Sequence, residues 1–380
     1  MLKLNRRRKV FLWAWIPVIV AVPLFVTVDL SGQFRFDSDP FNRYGMPAIP
    51  IGLLFLLIFV FRINIIPKKI LAFSFGIMFM ASLNIFDGGV RSAALSIGSL
   101  IPVFTYYCIR LRAQQKSVNI DKLRVNVFLG LSAIVVVKLI SSLWYGNPSS
   151  IFIIEEIRIY NYYDYFSFLP LVVLLLAIDN LFKREKILIS CVILIVALIE
   201  IHFSTSRYFF ACALASPLVY TFFKLVPLSS LVISGTSFTI VVSLTWIGAL
   251  HQWFEESSMV TRTNHWKHYL ESITIIDVFY PVGNDYRQSV LDGSFHNEFI
   301  DIFSFFGFGS FLIFWIWLYV VKDSSAKNPL LKTILFFLVF GMLIQINITN
   351  FYVGMIVGSI FAIYENRNFS MDQSPTHIDR

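Results

Sequence analysis

Charged residues are scarce in this chain. Only 14% of its 380 residues are Asp, Glu, Lys or Arg, whereas a soluble globular domain carries about 25%. Apolar residues make up 57% of the sequence, and the mean hydropathy is +0.72. This composition excludes an ordinary water-soluble domain and is typical of a protein built into a membrane.

Cysteines and nucleotide-binding motifs are scarce or absent as well. The three cysteines, Cys108, Cys191 and Cys212, lie inside or at the ends of apolar runs and indicate no disulfide framework. The sequence has no Walker-type glycine loop, no dinucleotide fingerprint and no Gly-x-Ser-x-Gly elbow. A bound nucleotide is therefore not indicated. The net charge of +8 reflects the basic loops of a membrane protein, and we expect no nucleic-acid partner.

Long apolar runs dominate the chain instead. Runs of roughly 16 to 22 apolar residues recur from end to end, which is the length a helix needs to cross a hydrocarbon core of about 30 Å. The runs are continuous rather than alternating, so they favour a helical bundle over a barrel. We predict an all-α, polytopic helical membrane protein with about 12 transmembrane helices. They lie near 10–29, 47–66, 68–86, 93–110, 125–143, 165–181, 187–203, 208–223, 229–250, 297–321, 330–347 and 350–364.

Lysines and arginines are distributed unevenly between the two sides of this predicted bundle. Most of the 31 basic residues fall on the side of the N-terminus, which the positive-inside rule assigns to the cytoplasm together with the C-terminus. Residues 1–365 are then a single transmembrane domain, with a periplasmic loop at about 251–296 and a disordered cytoplasmic tail at 366–380. The basic residues predicted outside are Arg35, Arg43, Arg91, Arg158, Arg207, Arg262, Lys267 and Arg287.

The polar segment 251–296 is unusually long. Most other loops are short, yet this one has about 45 residues and holds four of the six histidines. Loops of such length are usually functional, so we expect the active site in and around this segment. His265-x-x-His268, with His251 or Glu255, is a metal pattern without further fixed spacing, and we predict no metal site.

Three outer arginines are the main candidates for binding phosphate, because the planar guanidinium makes paired hydrogen bonds to phosphate oxygens. Arg207 ends the link Ser204–Arg207 near the outer membrane boundary; the alternative is an arginine that only snorkels from a helix end. Arg262 precedes Trp266 by four residues and shares its helical face, unless it is a solvated loop charge. Arg91 follows a glycine pair, where an ion pair with the nearby aspartate is the alternative.

His296 stands where the chain re-enters the membrane. A histidine accepts a proton from a hydroxyl near neutral pH, and Glu298 or Asp301 is suited to orient it. The alternatives are an interfacial polar residue for His296 and an ordinary acidic first turn of a helix for the two carboxylates. Aromatic residues such as Trp266 are open to two interpretations in the same way, as interfacial anchors or as platforms for sugar rings.

Four short motifs, taken in order, resemble those of a known family. Thr205-Ser206-Arg207 opens a helix, Arg262 and Trp266 follow, then Pro281-x-Gly283, and then His296-Asn297 with Gly307. This order resembles the O-antigen polymerase/O-antigen ligase superfamily, bacterial inner-membrane glycosyltransferases with a long periplasmic loop late in the chain. The second glycine of the family's Pro-x-Gly-x-Gly is Asp285 here. The ligase-type His-Asn-x9-Gly-x-x-Gly becomes His296-Asn297 with Gly307 and Gly309 only.

The resemblance implies a glycan donor carried on undecaprenyl pyrophosphate. Arg207 and Arg262 would hold the pyrophosphate and stabilise its charge as it leaves, and His296 would contact or deprotonate the acceptor hydroxyl. The residues then expected to bind substrate are Arg91, Arg287, Trp266, Asn297 and Glu298. No metal or other cofactor is implied, and membrane lipid and a chain-length regulator protein are expected partners.

The expected activity is therefore polymerisation of lipid-linked repeat units into O-antigen or a related polysaccharide on the periplasmic face. One alternative is an O-antigen ligase that transfers glycan to lipid A core, for which the histidine signature is incomplete. Another is a transporter of lipid-linked oligosaccharide, which predicts paired repeats and charges near the membrane midplane. A non-catalytic scaffold, the remaining alternative, does not need arginines and a histidine at the outer boundary.

Overall fold

The computed structural model describes part of the chain. The described residues are 27–29, 68–70, 72, 74–76, 79, 100–107, 109–110, 120–145, 150–154, 157–160, 168–203, 207–226, 228–251, 257–279, 297–313, 315, 328–342 and 351–365. The predicted helices near 10–29 and 47–66 fall almost entirely outside these ranges. The predicted tail at 366–380 lies outside them as well.

Helices account for most of the described residues. In chain order they are α1 Ile120–Tyr145, α2 Phe168–Phe182, α3 Ile187–Phe203, α4 Arg207–Leu225, α5 Ser230–His251, α6 Ser257–Ser272, α7 Ile275–Phe279, α8 Glu298–Phe306, α9 Pro329–Gly341 and α10 Phe351–Tyr364. Residues 100–107 and 109–110 are helical too. The predicted helical class is confirmed at this level.

Two of these helices are long and apolar enough to cross a bilayer, over Ile120–Ile140 and Tyr208–Leu225. Shorter apolar helices surround them. Large apolar side chains also face outward from α3 and α4, where Leu188 is 78% exposed and Leu218 is 76% exposed. An outer surface of this kind is unfavourable in water and suits contact with lipid tails.

Helix α2 is the centre of the bundle. Its residues from Phe168 to Asp179 are buried around the whole circumference, as expected for a helix that is apolar on every face. It contacts α1, α3, α4 and α9. Farther along the chain, α10 packs closely against the helical residues around Pro102, because Gly354 and Gly358 present no side chains to it. Small residues four positions apart allow such close helix packing in membranes.

A small antiparallel sheet was not predicted. Strand β1 is Thr27–Asp29, β2 is Ser150–Ile154 and β3 is Ile157–Tyr160, in the order β1-β3-β2. Val28 pairs with Ile159, and Ile153 pairs with Arg158. The sequence interpretation has a helix to residue 29 and a loop over 144–164. The all-α prediction therefore holds for the helical bundle, but it did not include these three strands.

One end of the bundle carries a polar network around Tyr364, and we call it the Tyr364 end. The Tyr364 hydroxyl donates a hydrogen bond of 3.2 Å to the Arg124 carbonyl oxygen. The Asn328 side-chain amide donates one of 2.5 Å to the Tyr364 carbonyl oxygen. Glu365 lies 3.6 Å from the Arg110 guanidinium. The start of α1, the start of α9 and the end of α10 therefore meet here.

The ends of α2 and α4 meet at the same end. Asp179 accepts a hydrogen bond of 2.7 Å from the Tyr220 hydroxyl and pairs with Lys183 at 2.6 Å. Lys224 lies over the Phe182 ring, 4.8 Å from its centre. Helices α1 and α3 run in the same direction, because Lys138 late in α1 pairs with Glu200 late in α3. The start of α1 therefore lies beside the start of α3 and the end of α2, so both networks belong to the Tyr364 end.

The residues at the opposite end can be identified because successive helices run in opposite directions. Helix α3 starts beside the end of α2, so its last residue, Phe203, lies at the far end of the bundle, and α4 begins there with Arg207. We call this the Arg207 end. Helix α5 starts at Ser230, close after the end of α4. Its last turns, up to His251, therefore run toward the Arg207 end.

Candidate functional site

Arg207 is the first residue of α4, and the structure describes its backbone. Its neighbour Tyr208 donates a hydrogen bond of 2.7 Å from its hydroxyl to the Phe337 carbonyl oxygen of α9. One turn before the link, the His202 ring of α3 lies 5.7 Å from the Phe210 ring of α4, centre to centre. Contacts on both sides of the link therefore hold the end of α3 and the start of α4.

A buried ion pair lies below this link. The Lys138 ammonium of α1 is 2.6 Å from the Glu200 carboxylate of α3, and the two side chains are 2% and 0% exposed. No pattern in a sequence identifies a partner for Lys138 on a separate helix. The structure supplies that partner.

Part of the predicted periplasmic loop is helical. The segment Ser257–Ser272 forms α6, which contains Arg262 and, one turn later, Trp266. The Trp266 side chain is 3% exposed and packs with Tyr269 and with Ile300 of α8. Arg262 and Trp266 therefore lie one turn apart on a helix, as their spacing predicts, and this helix lies within the predicted periplasmic loop.

Asn297 caps the start of α8. Its side-chain oxygen accepts a hydrogen bond of 3.1 Å from the Ile300 backbone N–H, which is the usual role of asparagine at this position. Its side-chain amide donates a hydrogen bond of 3.0 Å to the Thr245 hydroxyl of α5. Asn297 is fully buried, so the described contacts give it a role in holding α8 against α5.

The helix predicted over 297–321 is interrupted at Gly307. Helix α8 ends at Phe306, and the 3₁₀ turn Gly307–Gly309 follows. Gly307 has φ of 49°, a left-handed conformation that glycine adopts without strain. The Phe308 ring stacks on Phe279 of α7 at 6.3 Å, so α7 packs on this turn.

The structure brings several predicted site residues to one region. Trp266 and Asn297 meet through Ile300, and Glu298 is the first residue of α8. Arg262 lies one turn before Trp266 on α6. For Arg207, Arg262 and Glu298 only the backbone is described. The predicted residues that lie outside the described ranges are Arg91, Arg287 and His296.

The described residues contain no group of three or more His, Cys, Asp and Glu side chains placed to hold a metal ion. His265 and His268 both lie on α6, and the absence of a metal remains a prediction.

Comparisons with family models, with characterised protein sequences and with solved structures find no match to this chain.

Proposed function

We propose that this chain is an inner-membrane glycosyltransferase that polymerises undecaprenyl pyrophosphate-linked repeat units on the periplasmic face. The observation that supports it is the gathering of Arg207, α6 and Asn297 toward one end of an apolar bundle. The hydrogen bond between Asn297 and Thr245 places Asn297 beside the last turns of α5, which run toward the Arg207 end. An anionic lipid-linked substrate meets a membrane enzyme at such a boundary.

The distribution of basic residues indicates which end of the bundle faces the cytoplasm. Basic residues collect at the Tyr364 end, among them Arg110, Arg124, Lys183 and Lys224. Because positive loops are retained in the cytoplasm, the Tyr364 end is cytoplasmic in this proposal and the Arg207 end is periplasmic. The periplasmic face is where lipid-linked glycan would be joined.

The chemistry is substitution at the anomeric carbon of the donor sugar. The acceptor hydroxyl oxygen forms a bond to that carbon while His296 takes the hydroxyl proton. The bond between the carbon and the pyrophosphate oxygen breaks, and undecaprenyl pyrophosphate leaves with the electron pair. Arg207 and Arg262 stabilise the charge on the leaving group, an effect worth about 3 kcal/mol per donor group.

The remaining predicted residues have supporting roles in this proposal. Arg91 and Arg287 add positive charge for the anionic donor, and Glu298 orients His296. Trp266 and Asn297 bind substrate in the sequence interpretation, and their contacts favour a further role: they hold α6 against α8 and α8 against α5. That packing would keep Arg262 and His296 at a fixed separation.

The test is complementation of a deletion strain, with surface glycan resolved on a gel. Wild-type protein should restore a ladder of long chains, and Arg207→Ala should leave core with a single repeat unit. Arg184→Ala is the matched control, because Arg184 is an exposed arginine in the α2–α3 link at the Tyr364 end. A full ladder from Arg207→Ala, at normal protein abundance, would refute the phosphate role.

The same ladder separates the two rival functions. Core without any repeat unit, while long lipid-linked chains accumulate, would identify a ligase. The buried Lys138–Glu200 pair is the observation that favours a transporter, since ionisable groups inside membranes commonly line transport pathways. Accumulation of lipid-linked units on the cytoplasmic face in the deletion strain would support that function and contradict ours.

A further inference from the structure

The Lys138–Glu200 ion pair takes no part in the proposed chemistry. It joins α1 to α3 through a distance of 2.6 Å between the ammonium nitrogen and a carboxylate oxygen, and both side chains are inaccessible. An explanation for the pair must therefore come from what it does to the protein around it.

Stability alone is a weak explanation for a pair of this kind. Removing two charges from water costs several kcal/mol per ion, and apolar residues of similar volume often stabilise a protein as well or better. Apolar residues fill most of the surrounding core, including Ala197 and Ile201 at 0% exposure on the buried face of α3. An ion pair differs from such contacts in being directional, so it fixes the rotation and register of one helix against another.

The location of Glu200 shows which element is fixed. Glu200 lies in the last turn of α3, three residues before the helix ends at Phe203. In the same turn, the exposed His202 contacts Phe210 of α4. The last turn of α3 is therefore held to α1 by the ion pair and to α4 by the ring contact. The link that follows leads directly to Arg207.

The other side of the link has its own anchor. Tyr208, the residue after Arg207, is bonded to the Phe337 carbonyl oxygen of α9. The helix turns on either side of the link are thus held from different directions, by an ion pair to α1 and by a hydrogen bond to α9. Removal of the ion pair takes a directional contact away from the last turn of α3, which then depends on apolar and ring packing for its rotation.

We propose that Lys138 and Glu200 are a positioning pair, which holds the last turn of α3 so that Arg207 keeps its place at the Arg207 end of the bundle. This proposal rests on the proposed function for the consequence of misplacing Arg207. The position of the link can be measured whether or not the protein has this activity.

The experiment uses variants that separate positioning from folding. A single replacement leaves a buried charge without its partner, which costs about 3–5 kcal/mol and can prevent folding. The informative variants are therefore the double apolar Lys138→Met/Glu200→Leu and the exchanged pair Lys138→Glu/Glu200→Lys. The control is the double variant Asp179→Asn/Lys183→Met, which removes an ion pair of the same 2.6 Å length at the Tyr364 end. It leaves no buried charge unpaired, and the asparagine oxygen can still accept from the Tyr220 hydroxyl.

Two measurements are made on the full-length protein. In a background without the natural cysteines, Ser206→Cys is labelled in membranes with a membrane-impermeant maleimide, and the labelling rate reports the link without any glycan. In detergent, the kcat and KM for lipid-linked repeat units are measured beside thermal stability. The labelling rate tests the placement of the link, and kcat and KM test whether a misplaced link impairs catalysis.

The double apolar variant should be as thermally stable as the wild-type protein. It should nevertheless label several-fold faster at residue 206 and lose about 10- to 100-fold in kcat, since small misplacements of a charged group are costly to catalysis. The exchanged pair should recover both values, and Asp179→Asn/Lys183→Met should change neither.

A double apolar variant with wild-type labelling and wild-type kcat would overturn the proposal and leave the pair a structural one. A wild-type protein that shows no glycan transfer would overturn the proposed function instead. The labelling comparison would still decide the positioning role in that case.

Discussion

The side chain of Asn297 connects two helices that are far apart in sequence. Its amide donates a hydrogen bond to the Thr245 hydroxyl at 3.0 Å, and its oxygen caps α8 by accepting from the Ile300 N–H. One side chain thus sets where α8 begins and which turn of α5 it contacts. His296, the predicted proton acceptor, is the residue immediately before it.

Asn297→Ala should reduce both stability and activity. Loss of an N-cap costs about 0.5–2 kcal/mol, and the segment that carries His296 loses its attachment to α5. Asn328→Ala is the control, because Asn328 caps α9 in the same way at the Tyr364 end. Thermal unfolding and kcat are measured for both variants. Equal loss of kcat in both would show that activity only follows stability.

Trp266→Ala should destabilise the packing of α6 on α8. Replacing a buried tryptophan with alanine costs about 3–5 kcal/mol, and Trp266 is 3% exposed. Trp315→Ala, at a site that is 57% exposed, should change the unfolding temperature little. Trp266→Phe keeps most of the packing. Normal stability with a raised KM in Trp266→Phe would indicate direct contact with substrate.

Gly358→Ala should lower stability by about 1–3 kcal/mol, as overpacking does. A methyl group at Gly358 would clash with the Pro102 carbonyl oxygen, whereas at Gly354 the closest atom would be the Pro102 Cδ at 3.0 Å. Gly354→Ala should therefore cost less. Gly235→Ala is the control, because nothing lies within 4 Å of a methyl group there. Thermal unfolding of the three variants is measured in detergent. If Gly235→Ala proves the most destabilising of the three, this packing is contradicted.

His296→Ala should lower the rate of glycan transfer while leaving the protein inserted and folded. General acid–base catalysis contributes about 10²–10⁴-fold, so chain length on the ladder should fall sharply. The control is His377→Ala in the predicted tail. Full activity of His296→Ala would reduce His296 to a structural residue.

Treatment with EDTA should leave transfer by the purified protein unchanged. The proposed mechanism stabilises the leaving pyrophosphate with arginines, so no divalent ion is needed. Transfer is measured before and after chelation, with magnesium and manganese added back. Loss on chelation and recovery with one ion would revive the His265-x-x-His268 pattern as a metal site.

The helices of the bundle were largely predictable from the sequence. The apolar run predicted over 187–203 is helix Ile187–Phe203, and the run predicted over 229–250 is Ser230–His251. Charged or polar residues flank each of these runs, so the sequence marks the ends of the helices as clearly as their interiors. The region 68–86 is described only in part, where it is helical.

The strands have a local signal in the sequence. Ile157 and Ile159 alternate with Arg158 and Tyr160, which is the two-residue period of a strand. The partner strand at Thr27–Asp29 is so distant in sequence that no local pattern indicates it. Likewise, the sequence shows a lysine at position 138 but not that Glu200 lies beside it.

Strand order has a consequence for the timing of assembly. Thr27 pairs with Tyr160, and β3 is the central strand of the sheet. Strand β1 must therefore wait for its partner while roughly 130 further residues are synthesised, about 7–26 s at ordinary rates of elongation. Until then the backbone groups of Thr27–Asp29 lack the strand with which they pair. Strand β1 is thus completed by a segment from the middle of the chain, so this sheet cannot assemble strictly from the N-terminus onward.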